Sequence, residues 1–392
     1  MDFEQLKSWN WVKFLEINAG CWPFQNPRKN LYIRVFSFMA IVTVYIPLAI
    51  KLMLSLDQYQ EIVIENSLFL MIIHGLFAKS IVLYLNEKQR GDLYREALSH
   101  LDAMDDEGEK EILRVSSESA TKWMLTYLFT TITLGSFYHI IPLAHIHMNY
   151  FLRANATPPR QLLHINVEYF MEDEDIYYYI IGHFLIVFVF GGILFFAHDL
   201  GFMALVKDNC ALYEITCYRL RNCSSRGSSD SRRSQGLADD EIHANVLRAN
   251  DMYQLAMSIT DRIEKAYNIT WFVLLVQNMS SFGTCIMLLY IQEDPIEFIR
   301  YITVVGSGLI HFQTIFYSGQ KIIDSSQAIY HACFHTDWFT FPRRTRNLLI
   351  IMMMRSAKPC KLTGGKAFIL CMSTMRQFVL KGLVYFLVFA VE

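Results

Sequence analysis

Seven apolar stretches, each about as long as a bilayer is thick, constrain this 392-residue chain more than any other feature of its sequence. A helix needs about 20 mostly apolar residues to cross the hydrocarbon core. Composition agrees, because 53% of the residues are hydrophobic and only 18% are charged, against about 25% charged in a typical soluble domain. We therefore predict an all-α membrane protein with seven transmembrane helices. The predicted spans are residues 32–54, 62–85, 122–146, 178–206, 269–291, 298–317 and 368–391.

Charged side chains within spans weaken the predictions of the second and the seventh span most. Lys79 lies in the second, and Arg376 and Lys381 lie in the seventh. Each charge costs about 2.5–3.5 kcal/mol at the centre of a spanning helix. Long basic side chains reach the membrane surface by snorkelling, so these three residues need not be functional, and Lys381 either snorkels or faces a neighbour.

The distribution of Lys and Arg predicts the orientation. The N-terminal segment and the second, fourth and sixth loops carry 28 of the 35 basic residues, whereas the segments on the other side carry three. Basic residues favour the cytoplasmic side. We therefore predict a cytoplasmic N-terminus and an extracellular C-terminus, the inverse of a G-protein-coupled receptor.

The predicted organisation follows from these spans. The cytoplasmic loop contains a Ser-rich stretch, residues 223–236, that we expect to be disordered, between helical extensions of the fourth and fifth spans. An apolar helix near residues 347–359 is too short to cross a bilayer, so we expect it to join a cytoplasmic helical anchor bundle. The predicted segments are 1–31 (cytoplasmic N-terminal segment), 32–206 (helices one to four), 207–268 (cytoplasmic loop), 269–318 (helices five and six), 319–366 (anchor segment) and 367–392 (helix seven).

Three smaller predictions concern the ends and loops. The aromatic residues Trp9, Trp11, Trp22 and Phe24 suit an amphipathic segment at the membrane interface. Asn155 begins an Asn-Ala-Thr sequon in the loop placed outside, so we predict glycosylation there. We find no catalytic motif and no complete ligand set for a metal, and therefore predict a non-enzymatic protein without a metal or cofactor.

The C-terminal third carries a set of degenerate motifs. One follows the sixth span, and a short basic-apolar helix leads to a second at the entry of the seventh. Their order, inside an inverted seven-helix frame, resembles the insect odorant receptor family. The matching positions are Gly319, Ser325 or Ser326, Ala328, Tyr330, Trp338, Phe339, Pro359, Leu362, Thr363, Gly364 or Gly365, and Phe368.

That resemblance implies an odorant-gated, non-selective cation channel of four subunits in the plasma membrane of a sensory neuron dendrite. It implies that helix seven lines the pore and that the anchor bundle holds the subunits together. The family's co-receptor carries a much longer insertion between helices four and five than residues 207–267 provide, so we expect a tuning subunit that forms a heterotetramer with the co-receptor. A gustatory-type receptor channel and a secondary transporter of a small molecule remain alternatives.

Site residues are predicted by depth and residue type. An odorant site is expected to be concave, mostly apolar and in the outer half of the bundle. The ligand-binding candidates are Phe69, Ile73, Phe137, Tyr138, Ile141, Tyr178, His183, Met279, Phe282, Tyr301 and Val305. The pore candidates, which share one face of helix seven, are Val384, Tyr385 and Val388. The subunit-anchor candidates are Tyr330, Trp338, Phe339, Leu348 and Met352.

Overall fold

The structure, a computed structural model, describes residues 7–57, 60–102, 104, 106–152, 166–171, 173–223 and 232–391. Over these residues the chain forms ten helices and one two-stranded sheet. The elements are α1 (Lys7–Asn18), α2 (Pro27–Ser55), α3 (Gln60–Leu85), α4 (Glu87–Asp102), α5 (Glu107–Leu152), α6 (Asp173–Arg221), α7 (Arg232–Ile291), α8 (Pro295–Phe334), α9 (Arg343–Ser356), β1 (Thr363–Gly364), β2 (Phe368–Ile369) and α10 (Met372–Val391).

Six of the predicted spans fall within helices, namely α2, α3, α5, α6, α7 and α8. The seventh, predicted from residue 368, corresponds to α10, which begins only at Met372 because Phe368 and Ile369 form β2. In the part of the chain that the structure describes, α2, α3, α6 and α7 are long and apolar enough to cross a membrane by length and composition. The prediction of an all-α membrane protein is confirmed. Helices α5 to α8 contain 46, 49, 60 and 40 residues, so each is longer than a bilayer requires.

Helix α6 is the axis around which the others pack. It contacts α1, α2, α3, α5, α7 and α8. Residues 196–206 are all buried, including the polar side chains of His198 and Asp199. A helix that is buried on every side must satisfy its polar groups from its neighbours, and this requirement positions the site described below.

The N-terminal aromatic residues do not form the interfacial segment that we predicted. Trp9 and Trp22 are buried, because α1 packs against α5 and α6. The Trp9 indole Nε1 donates to Asp208 Oδ2 at 2.7 Å, and burial raises the pKa of the Asp208 carboxyl to about 7. Trp11 and Phe24 stay exposed, as an interfacial position requires.

The start of α7 also differs from the prediction. Residues 224–231 of the stretch predicted to be disordered lie outside the described residues, but residues 232–236 are helical. Helix α7 thus begins seven residues before the acidic run at Asp239 that we expected near its N-terminus. Helix propagation is far easier than nucleation, so a helix stabilised by packing extends into a polar flank of weak propensity.

A small hairpin joins α7 to α10. Strands β1 and β2 are antiparallel, and the turn between them places Gly365 and Lys366 at φ values of 62° and 58°. Glu264 of α7 accepts hydrogen bonds from both the backbone N–H and the hydroxyl of Thr363. Phe368 stacks on Phe272 at 6.3 Å. The Gly-Gly pair in the sequence therefore fixes the entry of α10 against α7.

Candidate ligand site

A cavity of about 160 Å³ lies among α3, α7 and α8, with one residue each from α5 and α6 in its wall. A cavity of this size is comparable to the engineered protein cavities that hold a benzene molecule. Its apolar lining comes from Ile72, Leu76, Phe195, Leu274, Phe282, Val304, Val305 and Phe312. Its polar lining comes from Lys79, Thr131, Gln277, Asn278, Ser281, Ser307 and His311.

An ionic cluster closes one part of this cavity. Lys79 Nζ donates to both carboxylate oxygens of Asp199, at 2.7 Å and 2.8 Å, and lies 3.2 Å from His311 Nε2. Asp199 also accepts from the Tyr127 hydroxyl at 2.7 Å and lies 2.9 Å from His198 Nδ1. His311 Nε2 lies 3.2 Å from Asp199 Oδ2, so four side chains, one each from α3, α5, α6 and α8, meet at one buried carboxylate.

The position of Lys79 corrects the prediction that it snorkels. Its side chain is 1% exposed, and its ammonium lies 3.3 Å from the centre of the Phe195 ring. A charge in the hydrocarbon region is tolerated when a partner of opposite charge neutralises it, and Asp199 supplies that partner. Arg376 and Lys381, in contrast, are exposed, as snorkelling requires.

Helix α7 contributes an amide-rich strip to the same cavity. Gln277 Nε2 donates to Ser281 Oγ at 3.2 Å, one helical turn later. Asn278 Nδ2 lies 3.5 Å from His311 Nδ1, at the long limit for a hydrogen bond. The cavity thus combines an apolar body with one polar end, the arrangement expected for a small-molecule site.

The structure brings only part of the predicted ligand set to this cavity. Phe282 and Val305 line it. Met279 and Phe282 also line a smaller adjacent pocket, together with Phe312 and Phe378. Phe378 belongs to α10, so this helix reaches the pocket next to the candidate ligand cavity.

A second group of predicted residues belongs to an ionic cluster near the start of α8. The Arg300 guanidinium pairs with Glu65 and donates to the Tyr138 hydroxyl at 2.6 Å. The Tyr138 ring packs edge-on against Phe69 at 5.7 Å. Tyr301, next to Arg300, is buried in a small hydrophobic cluster. These side chains tie α3, α5 and α8 together.

The remaining ligand candidates lie elsewhere. The His183 ring connects to Thr43 Oγ1 at 2.8 Å and to the Tyr169 hydroxyl at 2.9 Å. Ile73 is buried in the main core, Phe137 is 45% exposed and Ile141 is half-buried. The Tyr178 side chain lies outside the described residues.

The pore and anchor candidates also differ in exposure. Val384 is exposed, and the side chains of Tyr385 and Val388 lie outside the described residues, as does Asn155. Met352 is buried and Tyr330, Trp338 and Leu348 are half-buried within their own chain, whereas Phe339 is 64% exposed. Two further apolar residues of α9, Ile351 and Met354, are 62% and 71% exposed.

Sequence reasoning missed the polar end of the cavity. The sequence did contain an indication of this polar end, because Lys79 and Asp199 are ionisable residues inside two predicted spans. An ionisable residue inside a membrane span is expected to pair with another polar group or to serve a function. The cavity residues Asn278 and His311 gave a weaker signal, since single polar residues are common in spanning helices.

Comparison with known proteins gives a consistent result. The family model described as "7tm Odorant receptor" matches residues 61–380. Odorant receptor 67a of Drosophila melanogaster is 28% identical over 192 residues, which are 47% of this chain and 44% of that protein. The chain therefore matches less than half the length of this curated relative.

Two solved structures share the fold. One is the insect olfactory receptor OR5 from Machilis hrabei in complex with eugenol, with a TM-score of 0.79 and 11% identity. The other is a second structure of the receptor OR5 from Machilis hrabei, with a TM-score of 0.75 and 12% identity. Each match covers 99% of both chains.

Proposed function

Because the chain belongs to the 7tm odorant receptor family, we propose that it is the odorant-binding subunit of a ligand-gated, non-selective cation channel. The observation that carries the ligand-binding part is the cavity among α3, α7 and α8, which joins an apolar wall to a polar end. A family member whose solved structure has the same fold was obtained in complex with eugenol, a small volatile molecule.

We place the pore along α10. This helix contacts α7 and α8, the two helices that supply most of the cavity wall. Phe312 lines both the cavity and the smaller pocket that reaches Phe378 of α10. Phe312 stacks on Phe316, and Phe316 packs against Phe378 of α10. A ligand that changes the packing of Phe312 therefore acts on α10 through one intervening ring, which gives a short route from binding to opening of the pore.

We propose that this subunit works with the odorant co-receptor in a heterotetramer at the plasma membrane. The short connection between the membrane parts of α6 and α7 favours a tuning subunit over the co-receptor. Ile351 and Met354 lie three positions apart on α9 and so share an exposed apolar face, which favours an assembly that covers it; Phe339 is exposed as well.

The proposal is tested by whole-cell recording from cells that express this chain with and without an odorant co-receptor, during exposure to a panel of volatiles. We expect a ligand-evoked cation current that discriminates little among cations, and only when both subunits are present. Current from this chain alone contradicts the tuning-subunit assignment. Silence from a complex shown to reach the cell surface, across a broad panel, contradicts the channel proposal.

The pore assignment has its own test. Val384→Cys, exposed on α10, is expected to make the ligand-evoked current sensitive to a water-soluble thiol reagent, whereas the current of the unmodified chain stays unchanged. Val189→Cys, an exposed residue on α6, is the matched control. Block of the control, or an unaffected Val384→Cys channel, argues against a pore along α10.

A further inference from the structure

The polar groups around the cavity differ in how many of their hydrogen bonds are already made within the protein. The Lys79 ammonium donates to both oxygens of Asp199, and His311 Nε2 lies 3.2 Å from Lys79 Nζ and 3.2 Å from Asp199 Oδ2. Ser307 Oγ donates to the Val304 carbonyl at 2.9 Å. These groups are already engaged, so a ligand gains little by competing for them.

The Thr131 hydroxyl, also in the cavity wall, has no hydrogen-bond partner among the described residues, so it is the competing group. Asn278 differs from the engaged groups in another way. Its Nδ2 carries two protons, and the contact to His311 Nδ1 is 3.5 Å long. A contact at that distance is weak. The amide lines the cavity beside an ionic cluster whose cation and carboxylate balance each other, so the polar end offers a hydrogen bond without a net charge.

The adjacent amide, that of Gln277, is less available to hydrogen-bond a ligand. Gln277 is hydrogen-bonded to Ser281 and lies over Gly75, where a Cβ would stand 2.6 Å from its Oε1. The absence of a side chain at position 75 therefore lets the Gln277 amide press against α3. Gln277 is held in place, whereas Asn278 keeps a donor for an incoming group.

We propose that Asn278 is the specificity-determining residue of this cavity, and that it donates a hydrogen bond to an acceptor oxygen on an otherwise apolar ligand. The inference rests on the proposed function and adds the chemical class of ligand. Roughly six to ten non-hydrogen atoms fit a cavity of about 160 Å³, by comparison with the benzene-sized cavities of engineered proteins. Ketones, esters and ethers of this size meet the requirement, and saturated hydrocarbons of the same shape do not.

The experiment uses two matched series, delivered as vapour to cells that express this chain with the co-receptor. The first series contains the 2-ketones from hexan-2-one to nonan-2-one. The second contains the hydrocarbons in which a methyl group replaces the oxygen, from 2-methylhexane to 2-methylnonane. For the unmodified chain we expect the ketones to be at least about tenfold more potent, the factor that corresponds to about one hydrogen bond.

Three variants locate the effect. Asn278→Leu keeps the side-chain size and removes the amide, so the potency gap is expected to shrink to less than about threefold. Asn278→Ala repeats the test if leucine prevents surface expression. Ser280→Ala, two residues along α7 on its exposed side, is the control and should keep the full gap.

Each other result overturns the inference. Equal potency of the two series in the unmodified chain means that the cavity does not select for oxygen. A gap that persists in both Asn278 variants, or one that collapses only in Thr131→Val, assigns recognition to another group. If neither series evokes current while other volatiles do, this inference fails and the channel proposal stands. If no volatile evokes current from a surface-expressed complex, the channel proposal fails with it.

Discussion

Lys79 of α3 and Asp199 of α6 form a two-pronged ion pair, with the ammonium 2.7 Å and 2.8 Å from the two carboxylate oxygens and both side chains almost completely buried. Such a pair attaches two spanning helices at one depth. It also fixes the polar end of the candidate ligand cavity, which Lys79 lines. The pair is therefore both a structural tie and a boundary of the site.

Removing one partner of this ion pair should destabilise the protein more than removing both partners. Lys79→Met leaves the Asp199 carboxylate without its cation, and an uncompensated buried charge costs about 3–5 kcal/mol. We expect surface expression of Lys79→Met to fall severalfold. The double variant Lys79→Met/Asp199→Asn removes both charges and should recover most of the expression, as measured by surface biotinylation.

A double variant that is expressed as poorly as Lys79→Met alone would show that the pair does more than neutralise its own charges. Arg95→Gln is the matched control, because the ion pair between Arg95 and Asp92 is exposed at the protein surface. Exposed pairs contribute about 0–1 kcal/mol, so this change should leave expression unaltered.

Helix α8 passes the chain segment before α10 at a distance that only glycine permits. A Cβ at Gly319 would stand 2.1 Å from the Leu370 carbonyl oxygen and 2.5 Å from the Leu370 Cβ. We expect Gly319→Ala to displace this segment and to lower the free energy of unfolding by about 1–3 kcal/mol. The measurement is the thermal unfolding midpoint of the detergent-purified complex.

The control for that experiment is Gly283→Ala on α7. A Cβ at Gly283 meets no described atom within 4 Å, and alanine favours a helix more than glycine does. This variant should unfold at an equal or slightly higher temperature. Equal effects of the two substitutions would contradict the close approach of α8 to Leu370.

Asp208 should make stability depend on pH. Burial raises the pKa of its carboxyl to about 7 in the folded chain, whereas the carboxyl titrates near 3.9 when unfolded. The folded state therefore holds the proton more tightly. The stabilising contribution is complete below about pH 4 and is lost as the pH rises through about 7.

Asp208→Asn cannot ionise, and its amide oxygen still accepts a hydrogen bond from Trp9. We expect the unfolding midpoint of this variant to change less between pH 4 and pH 7 than that of the unmodified chain. A variant with an unchanged slope over this interval would show that another group governs the dependence. Glu111→Gln, an exposed carboxylate on α5, provides the comparison.

Assembly should depend on the exposed face of α9 and not on its buried face. Ile351→Ser/Met354→Ser changes two residues that are more than half exposed, so the subunit should fold but associate less with the co-receptor. We expect at least a fivefold loss in co-purification. Leu349→Ser, which places a hydroxyl at a fully buried position, should instead reduce the amount of folded protein.

Trp338→Ala gives a further comparison for the same surface. Trp338 is half-buried and packs on the core of its own chain, so its loss should reduce stability as well as assembly. Ligand preference should stay unchanged in every variant of this anchor region. A change in ligand selectivity would contradict the separation of anchor and cavity.

Hydropathy was sufficient to locate the seven spans, but it did not predict the full lengths of their helices or the short helix α4. The seven spans were predicted because a run of apolar residues of bilayer length has few alternatives. Helix α7 begins at Arg232, in a Ser-rich stretch without apolar periodicity. Its first turns follow from propagation of the packed helix, a cooperative effect that no local pattern of residues encodes.

The site was harder to predict, for a different reason. Depth and residue type placed Phe282 and Val305 at the cavity, but Tyr138 and His183 are occupied by polar partners from other helices. An aromatic residue in a spanning helix looks the same in sequence whether it lines a cavity or packs against a neighbour. Lys79 was misread because its partner lies 120 positions further along the chain.

The lengths of the central helices have a mechanical consequence. Helix α7 continues without a break for 60 residues, which at 1.5 Å per residue gives a rod of about 90 Å. The cavity touches this rod within its membrane half, and the hairpin grips it at Glu264 and Phe272. For a rod of that length, a tilt of about 2° moves one end by about 3 Å relative to the other. Helix α7 therefore links the cavity to its N-terminal half in one continuous element, and a small change of tilt at the cavity produces a larger displacement at the far end of the helix.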